Sequence, residues 1–467
     1  MTPNPDTAAL ATLRLIGPDP LNWVPDWPGI DHNVVLVGGG QTGSALAFAL
    51  RRAGIGKVTV IDAAPDEDRS GIWLTAARMN LLRTPKSLTG PEIGLPAFGF
   101  QTWYEARHGV EAYARIDRIA RTDWAAYLSW YRRFLNIPIR YNTSLTRIEP
   151  AETGFRLHLN ANGTARIETA RKLVLCTGFA GTGSPAIPAA LSDNLPATLY
   201  AHTEHAIDFA ALRGKTVAVI GAAASAFDAA GVALEHGAHA VHLFARRTEI
   251  AATPITRSRG YPGAYDNYHQ LPDAVRWHQA IRFRRAGSTP TTDAIQRAVQ
   301  FPNFRLHLGT QWHDVRVEDG QVTAVGVADR FDFVIAGTGY KVDLGARPEL
   351  VDIAPHVLLW RDRFTPPPGE EDSEFGAHPY LGSGHEYLEK TVGTAPFLKD
   401  IHVQNPAGFV SFGLPIGDVP SMKRDLPTIV ARISADLFAA DLPAHRQRMT
   451  GPVPPDFSET LYSTAIR

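Results

Sequence analysis

Cysteine is almost missing from this chain: Cys176 is the only one in 467 residues. No internal disulfide can form, and neither a cysteine zinc site nor an iron–sulfur cluster can be assembled. An excess of one charge is missing too. Lys plus Arg number 46 against 47 Asp plus Glu, and the net charge of −1 gives no general field for holding nucleic acid or an anionic membrane. Long apolar runs are absent, the longest being strand-sized and well short of the ~20 residues that cross a bilayer. The first twenty residues carry prolines and acids where a signal peptide would need a basic segment and an unbroken apolar run. The expectation is a cytoplasmic protein acting on a small molecule, with no nucleic acid, membrane or metal partner and with homo-oligomerisation left open. A 44% hydrophobic share excludes wholesale disorder, and the length suggests about three units of ~150 residues.

What is present begins with a strand-sized run, 34–37, that ends in Gly38, Gly39, Gly40, Gln41, Thr42 and Gly43, with a helical pattern over 45–53. A second apolar run, 58–61, ends in Asp62 about twenty residues later, as a dinucleotide-binding unit requires. The glycines allow a tight turn and close approach to a pyrophosphate at the helix N-terminus, while Asp62 would accept a ribose hydroxyl. The same grammar returns at 216–220, followed by Gly221, Ala222, Ala223, Ala224, Ser225 and Ala226, with alanines at two of the three fingerprint positions. Its next strand, 240–244, leads to Arg246 and Arg247 instead of an acid. Paired guanidinium groups suit the additional phosphate of NADPH, the alternative being an arginine pair that serves only the surface.

Between the fingerprints, Thr122 and Asp123 read as caps of a helix with Trp124, Tyr127, Leu128, Tyr131 and Leu135 on its apolar face. Residues 145–176 read as a meander turning at Asn162–Gly163, and a second hairpin turns at Asp319–Gly320. Two strands end alike, in Cys176-Thr177-Gly178 and in Ala336-Gly337-Thr338-Gly339-Tyr340. This predicts an α/β fold of two dinucleotide-binding, Rossmann-like domains, residues 186–334 being inserted into a domain made of 1–185 and 335–467. The aperiodic stretches 255–285 and 365–380 are candidates to line a substrate pocket. Residues 409–412 read as a strand, and 425–438 as a last helix with Pro427 in its first turn and its N-terminus turned to the cofactor.

Taken together, these residues resemble the class B flavoprotein monooxygenases over roughly 31–440. The resemblance implies FAD at Gly38, Gly40, Gln41, Thr42 and Gly43 with Asp62, and NADPH at Gly221 and Ser225 with Arg246 and Arg247. Gly71-Ile72-Trp73 is similar to that group's Gly-Gly-x-Trp segment beside the flavin, with Ser70 for its first glycine, and Thr338-Gly339 to its Ala-Thr-Gly-Tyr motif. The group's Phe-x-Gly-x-x-x-His marker has no clean counterpart beyond His202 with Phe209, and Arg83-Thr84-Pro85-Lys86 replaces an asparagine-bearing segment. Arg83 is a candidate to place positive charge beside the flavin or to pair with a carboxylate and brace its loop; His202 is a candidate to orient the domain crossing. The implied activity is NADPH-driven transfer of one oxygen atom from dioxygen to a small nucleophilic nitrogen or sulfur compound through a flavin peroxide. Alternatives are a ferredoxin-reductase-like electron carrier, Baeyer-Villiger oxygenation of a ketone, and a non-catalytic flavin-binding protein. Disulfide reductase chemistry is excluded, because Cys176 lies far beyond the first fingerprint helix.

Overall fold

In a computed structural model, which describes residues 4–88, 90–414 and 416–467, the apolar runs become the strands of two sheets. Strand β1 (His32–Val37) is buried at all four of its middle positions, as suits a strand covered on both faces. It feeds helix α1 (Gln41–Arg52) and then β2 (Val58–Ile61), parallel to β1 with Val37 opposite Ile61. Helix α2 (Arg121–Phe134) precedes the edge strand β3 (Ile139–Arg140) and a meander of β4 (Thr143–Pro150), β5 (Phe155–Ala161) and β6 (Thr164–Leu175). Asn162 and Gly163 turn β5 into β6 with φ of 51° and 80°, the left-handed pair that a tight hairpin needs. The long β6 serves three partners, pairing antiparallel with β5 along its first half and parallel with β1 and with a later strand along its second.

The second sheet is parallel throughout. It contains β7 (Tyr200–His202), β8 (Thr216–Ile220), helix α3 (Ala224–Glu235), β9 (Ala240–Phe244), helices α4 (Asp273–Ala286) and α5 (Thr292–Val299), β10 (Phe304–His307) and β11 (Phe333–Ala336), with strand order β7-β11-β8-β9-β10. The chain then returns to the first sheet as β12 (Ile401–Val403), beside β6, and runs into α6 (Val419–Ala440). Met422, Leu426, Ile429 and Ile433 of α6, spaced for one helix face, pack on Val34, Leu36, Val60 and Val174. Entry to and exit from the second sheet are zipped together where Gly183–Pro185 pairs antiparallel with Tyr340–Val342. The expected α/β architecture with strand–turn–helix units is therefore present. Among the described residues no helix is long and apolar enough to cross a membrane.

Four local expectations are corrected. Helix α2 is capped by Ala120, not by Thr122 or Asp123, because the strand Arg118–Ala120, paired with Leu81–Pro85, passes directly into it. Residues 409–412 form one helical turn, stopped by Gly413 in the left-handed region at φ 79°; four consecutive buried residues imitate a strand. Helix α6 starts at Val419, capped by Asp418, and keeps Pro427 inside on its exposed face, where water can take the carbonyl that the proline leaves free. It is not the last helix, since Leu442–Met449 follows. The two aperiodic stretches pack on each other: Trp277 of α4 joins Trp360, Phe375 and Phe409 in one apolar cluster and donates to the Glu370 carbonyl at 2.9 Å.

Buried imidazoles tie stability to pH. Burial pushes His378 down to about 4, and burial together with nearby Lys172 pushes His402 down to about 3. In the unfolded chain both titrate near ~6.5, so unfolding takes up protons below that pH. Their contribution is complete above pH ~6.5 and is lost as pH falls, by up to about 2 kcal/mol per imidazole at pH 5. Urea midpoints should therefore decline from pH 6.5 to 5, and His402→Gln should flatten that slope; a midpoint constant over the window contradicts it.

Candidate functional site

Three glycines of the first turn answer to different constraints. A Cβ at Gly38, which has φ 108°, would sit 2.4 Å from the Cys176 carbonyl oxygen, and one at Gly43 would sit 1.9 Å from the Gly38 oxygen. Both are demanded by the chain itself. Gly40 has an ordinary φ of −61°, and the nearest atom to its missing Cβ is Gly71 Cα at 3.8 Å. A methyl group there would make only an ordinary contact with Gly71, so nothing in the described protein demands the glycine, in contrast to Gly38 and Gly43.

Around this turn, Gln41 donates to the Gly417 carbonyl at 2.9 Å and accepts from Trp124 Nε1 at 3.1 Å. The Thr42 hydroxyl lies 3.5 Å from the same Gly417 carbonyl. The amino end of α6 is thereby held against the amino end of α1, so two helix N-termini, each with partial positive charge, converge. Burial, with Asp425 adding, pushes the Asp418 carboxyl at the head of α6 up to about 7. Asp62 accepts from the Gly39 N–H at 2.7 Å, the Ser70 hydroxyl at 2.8 Å and the Ala64 N–H at 2.8 Å. Gly71, at φ 80°, lies over Gly40, and Trp73 meets Trp124 edge-on at 6.3 Å. Gly38, Gly40, Gln41, Thr42, Gly43, Asp62, Gly71 and Trp73 thus form one cluster. Ser70, Trp124, Gly417 and Asp418 belong to it although the sequence did not single them out as site residues. An Asp418–Ser421 capping pair with Pro420 was the available signal for the last two.

At the second turn, Gly221 has φ 117° and a Cβ there would meet the Gly337 oxygen at 2.3 Å. Ala226 stands where the first turn has Gly43, and the space for its methyl comes from Gly337, whose own Cβ would lie 2.7 Å from that methyl. Ser225 is exposed in the first turn of α3. The Thr338 hydroxyl is buried without a partner among the described residues, next to Gly339 at φ 81°. The arginine pair divides: Arg247 donates to the Arg285 and Arg284 carbonyls at 2.7 and 2.8 Å, closing the end of α4, whereas Arg246 is exposed with no ion pair among the described residues.

Arg83 reaches away from the first turn to Asp228 of α3, with Nη2 3.4 Å from Oδ2. This pairing is the carboxylate contact that a loop brace would make. Burial raises the Asp228 pKa, and Arg83 and Arg297 oppose this. His202 is fully buried at the end of β7, edge-on to Tyr340, and its Nδ1 accepts from the Glu204 N–H at 3.1 Å. Burial, followed by His205, pushes its pKa down to about 4, so it is neutral at physiological pH. A cavity of about 430 Å³ opens beside Trp124 and the start of α6, lined by residues between 82 and 124 and by Val419, with no residue of the second sheet in its wall. Its walls include Leu82, Thr84, Glu92, Phe100, Trp124 and Val419. The stretches 255–285 and 365–380 expected to line a pocket contribute nothing to its lining.

Comparison with known proteins bears on this arrangement. The profile of the pyridine nucleotide-disulphide oxidoreductase family matches residues 35–260. The FAD-dependent urate hydroxylase of Xanthomonas campestris pv. campestris is 38% identical over 415 residues, covering 88% of this chain and 87% of that protein. Among solved structures, the reduced form of the ornithine hydroxylase of Pseudomonas aeruginosa superposes with a TM-score of 0.67 at 18% identity, covering 87% of this chain and 100% of that one. The ornithine N-hydroxylase of Kutzneria sp. 744, in a structure with reduced FAD, NADP+ and L-ornithine, gives a TM-score of 0.67 at 18% identity, covering 87% and 99%. The chain belongs to one family with the FAD-dependent urate hydroxylase, and it shares its fold with the ornithine hydroxylases.

Proposed function

We propose that this chain is a FAD-dependent, NADPH-consuming monooxygenase that puts one atom of dioxygen into a small molecule, with urate the first substrate to test. The observation that carries the reading is a glycine at Gly40 that no contact within the described protein demands, at the meeting of two helix N-termini and beside the Asp62 carboxylate. That constellation accepts a pyrophosphate and a ribose, so the residues fit FAD. The second turn fits NADPH through exposed Ser225, and through Arg246 and the Thr338 hydroxyl, neither of which has a partner among the described residues. Residues 186–334 would make up the NADPH-binding domain, inserted into an FAD-binding domain of 1–185 and 335–467; the antiparallel pair Gly183–Pro185 with Tyr340–Val342 supports both crossings.

FAD bound there would take hydride from NADPH and activate dioxygen. The chain's own part is placement and exclusion. Ser70 and the Gly39 N–H fix the Asp62 carboxylate in the orientation a ribose hydroxyl needs. Trp73 and Trp124 cover the first turn and keep water from it. Neutral His202 holds the crossing through packing and the Glu204 N–H, and supplies no proton. Urate takes precedence over amines because its hydroxylase is 38% identical to this chain, against 18% for the ornithine enzymes. Disulfide exchange is ruled out as the chemistry, since Cys176 is single and buried, and burial raises its thiol pKa.

Four outcomes follow. Urate should stimulate NADPH oxidation with oxygenated product formed in step, while lysine and ornithine do not; product-free peroxide release with every candidate sinks the proposal. Gly40→Ala should keep the wild-type melting temperature of the FAD-free protein yet lose FAD on gel filtration, because its methyl enters the ligand's space alone. Arg246→Ala should cut the preference for NADPH over NADH by about 10-fold or more, the worth of one charge-assisted bond of ~1.5–3 kcal/mol. Arg247→Ala should instead lower the melting temperature and leave that preference in place, and the reverse pattern in cofactor-specificity kinetics would exchange the two roles.

A further inference from the structure

On the face of the second sheet that carries Phe244, three donor atoms from separate elements point at one another. Strands β9 and β10 are parallel, with Phe244 opposite His307 and His242 opposite Arg305, so His242 and His307 are diagonal neighbours on one face. His242 Nδ1 lies 3.1 Å from His307 Nε2 and 3.3 Å from Asp329 Oδ2, and the three donor atoms all lie within 4.8 Å of one another. Asp329 comes from the loop before β11.

Hydrogen bonding leaves this group incompletely served. With both imidazoles neutral, His242 Nδ1 is either a donor or an acceptor. As an acceptor from His307 it turns a lone pair toward the Asp329 carboxylate, which can only accept. As a donor it has two acceptors competing for one proton. A cation with lone pairs directed at it from all three atoms removes the conflict. Four ligands at ~2.0–2.1 Å in a tetrahedron put neighbouring donors ~3.3 Å apart, close to the two separations found here. The rings are steadied by aromatic neighbours: His307 stacks on Phe244 at 4.4 Å, and His242 meets Phe331 edge-on at 5.4 Å. Asp329 is exposed, which provides an entry path and room for water as the fourth ligand.

We propose that His242, His307 and Asp329 form a binding site for one divalent transition-metal ion of the imidazole-preferring type, such as zinc. The site is separate from both glycine turns and does not depend on the oxygenase reading. Its effect would be mechanical, clipping the loop before β11 to the edge strand β10. The His307 carbonyl accepts from the Ala245 N–H at 2.9 Å, so the clip lies directly beside the segment leading to Arg246.

The competing arrangement is a simple hydrogen bond between the two histidines with Asp329 unliganded. Calorimetric titration of the full-length protein, freed of metal by chelator and with its flavin content unchanged, distinguishes them using zinc alone as the probe. The expected result is one saturable equivalent, with affinity at least 10-fold weaker in both Asp329→Asn and His307→Gln. Asp329→Asn is an isosteric change at an exposed residue and should leave the metal-free melting temperature unaltered, so loss of binding there reports on the ligand and not on folding. No saturable binding by the wild type, or equal binding by the Asp329→Asn and His307→Gln double variant, overturns the proposal.

Discussion

Everything at the candidate site depends on how closely a helix can approach the strands that flank its turn. In the first unit the contact is at its limit: a Cβ on Gly43 would be 1.9 Å from the Gly38 oxygen and 3.7 Å from the Cys176 Cβ. The second unit solves the same crowding with the sizes reversed. Ala226 brings a methyl group where the first unit has none, and Gly337 gives up its side chain where the first unit has Cys176. Glycine plus cysteine in one unit and alanine plus glycine in the other are two fillings of one gap. The alanine in the second fingerprint and the additional glycine before Thr338 are thus one feature, legible only when the residues are seen side by side.

This explains how far the sequence could be read. Strands 34–37, 58–61, 216–220 and 240–244 and the glycine turns were legible because they rest on local rules: apolar runs buried on both faces, and backbone angles that only glycine adopts freely. The two hairpin turns at Asn162–Gly163 and Asp319–Gly320 were legible for the same reason, each with positive φ at both positions. The failures were tertiary. A strand was read over 409–412 because burial on every side erases the helical period, and the start of α6 was read late because Pro427 resembles a first-turn proline when its exposure is unknown. Arg247 and Arg246 are adjacent and chemically identical, yet one closes the end of α4 and the other has no ion pair among the described residues, a difference set by carbonyls some forty residues away.

Buried charge ties the two sheets together. Arg78 donates to the His205 carbonyl at 2.9 Å and also to that of Thr203, and its own carbonyl accepts from Arg297 of α5 at 2.5 Å. Arg83 and Arg297 both face Asp228, and Arg118 pairs with Asp293 at 2.6 Å. Asp228 is the buried member of this network, so removing Arg83 or Arg297 takes compensation from its carboxylate, while the more exposed Arg118–Asp293 pair adds a weaker tie between the two sheets.

The stretch from Ser70 to Leu88 concentrates these constraints. Ser70 holds the carboxylate of Asp62, Gly71 lies within contact distance of Gly40, and Trp73 meets Trp124 edge-on. Arg78 and Arg83 then reach the second sheet and its helix, and Leu82 to Leu88 form part of the cavity wall. One short segment is in contact with the first turn, the second sheet and the cavity, so a shift at any of the three is felt by the other two through covalent connection alone. Its departures from the family pattern, Ser70 for glycine and Arg83 before Thr84, fall at its two anchoring contacts. Ser70 bonds to the Asp62 carboxylate at 2.8 Å and Arg83 approaches the Asp228 carboxylate at 3.4 Å, so the segment is tied to both units.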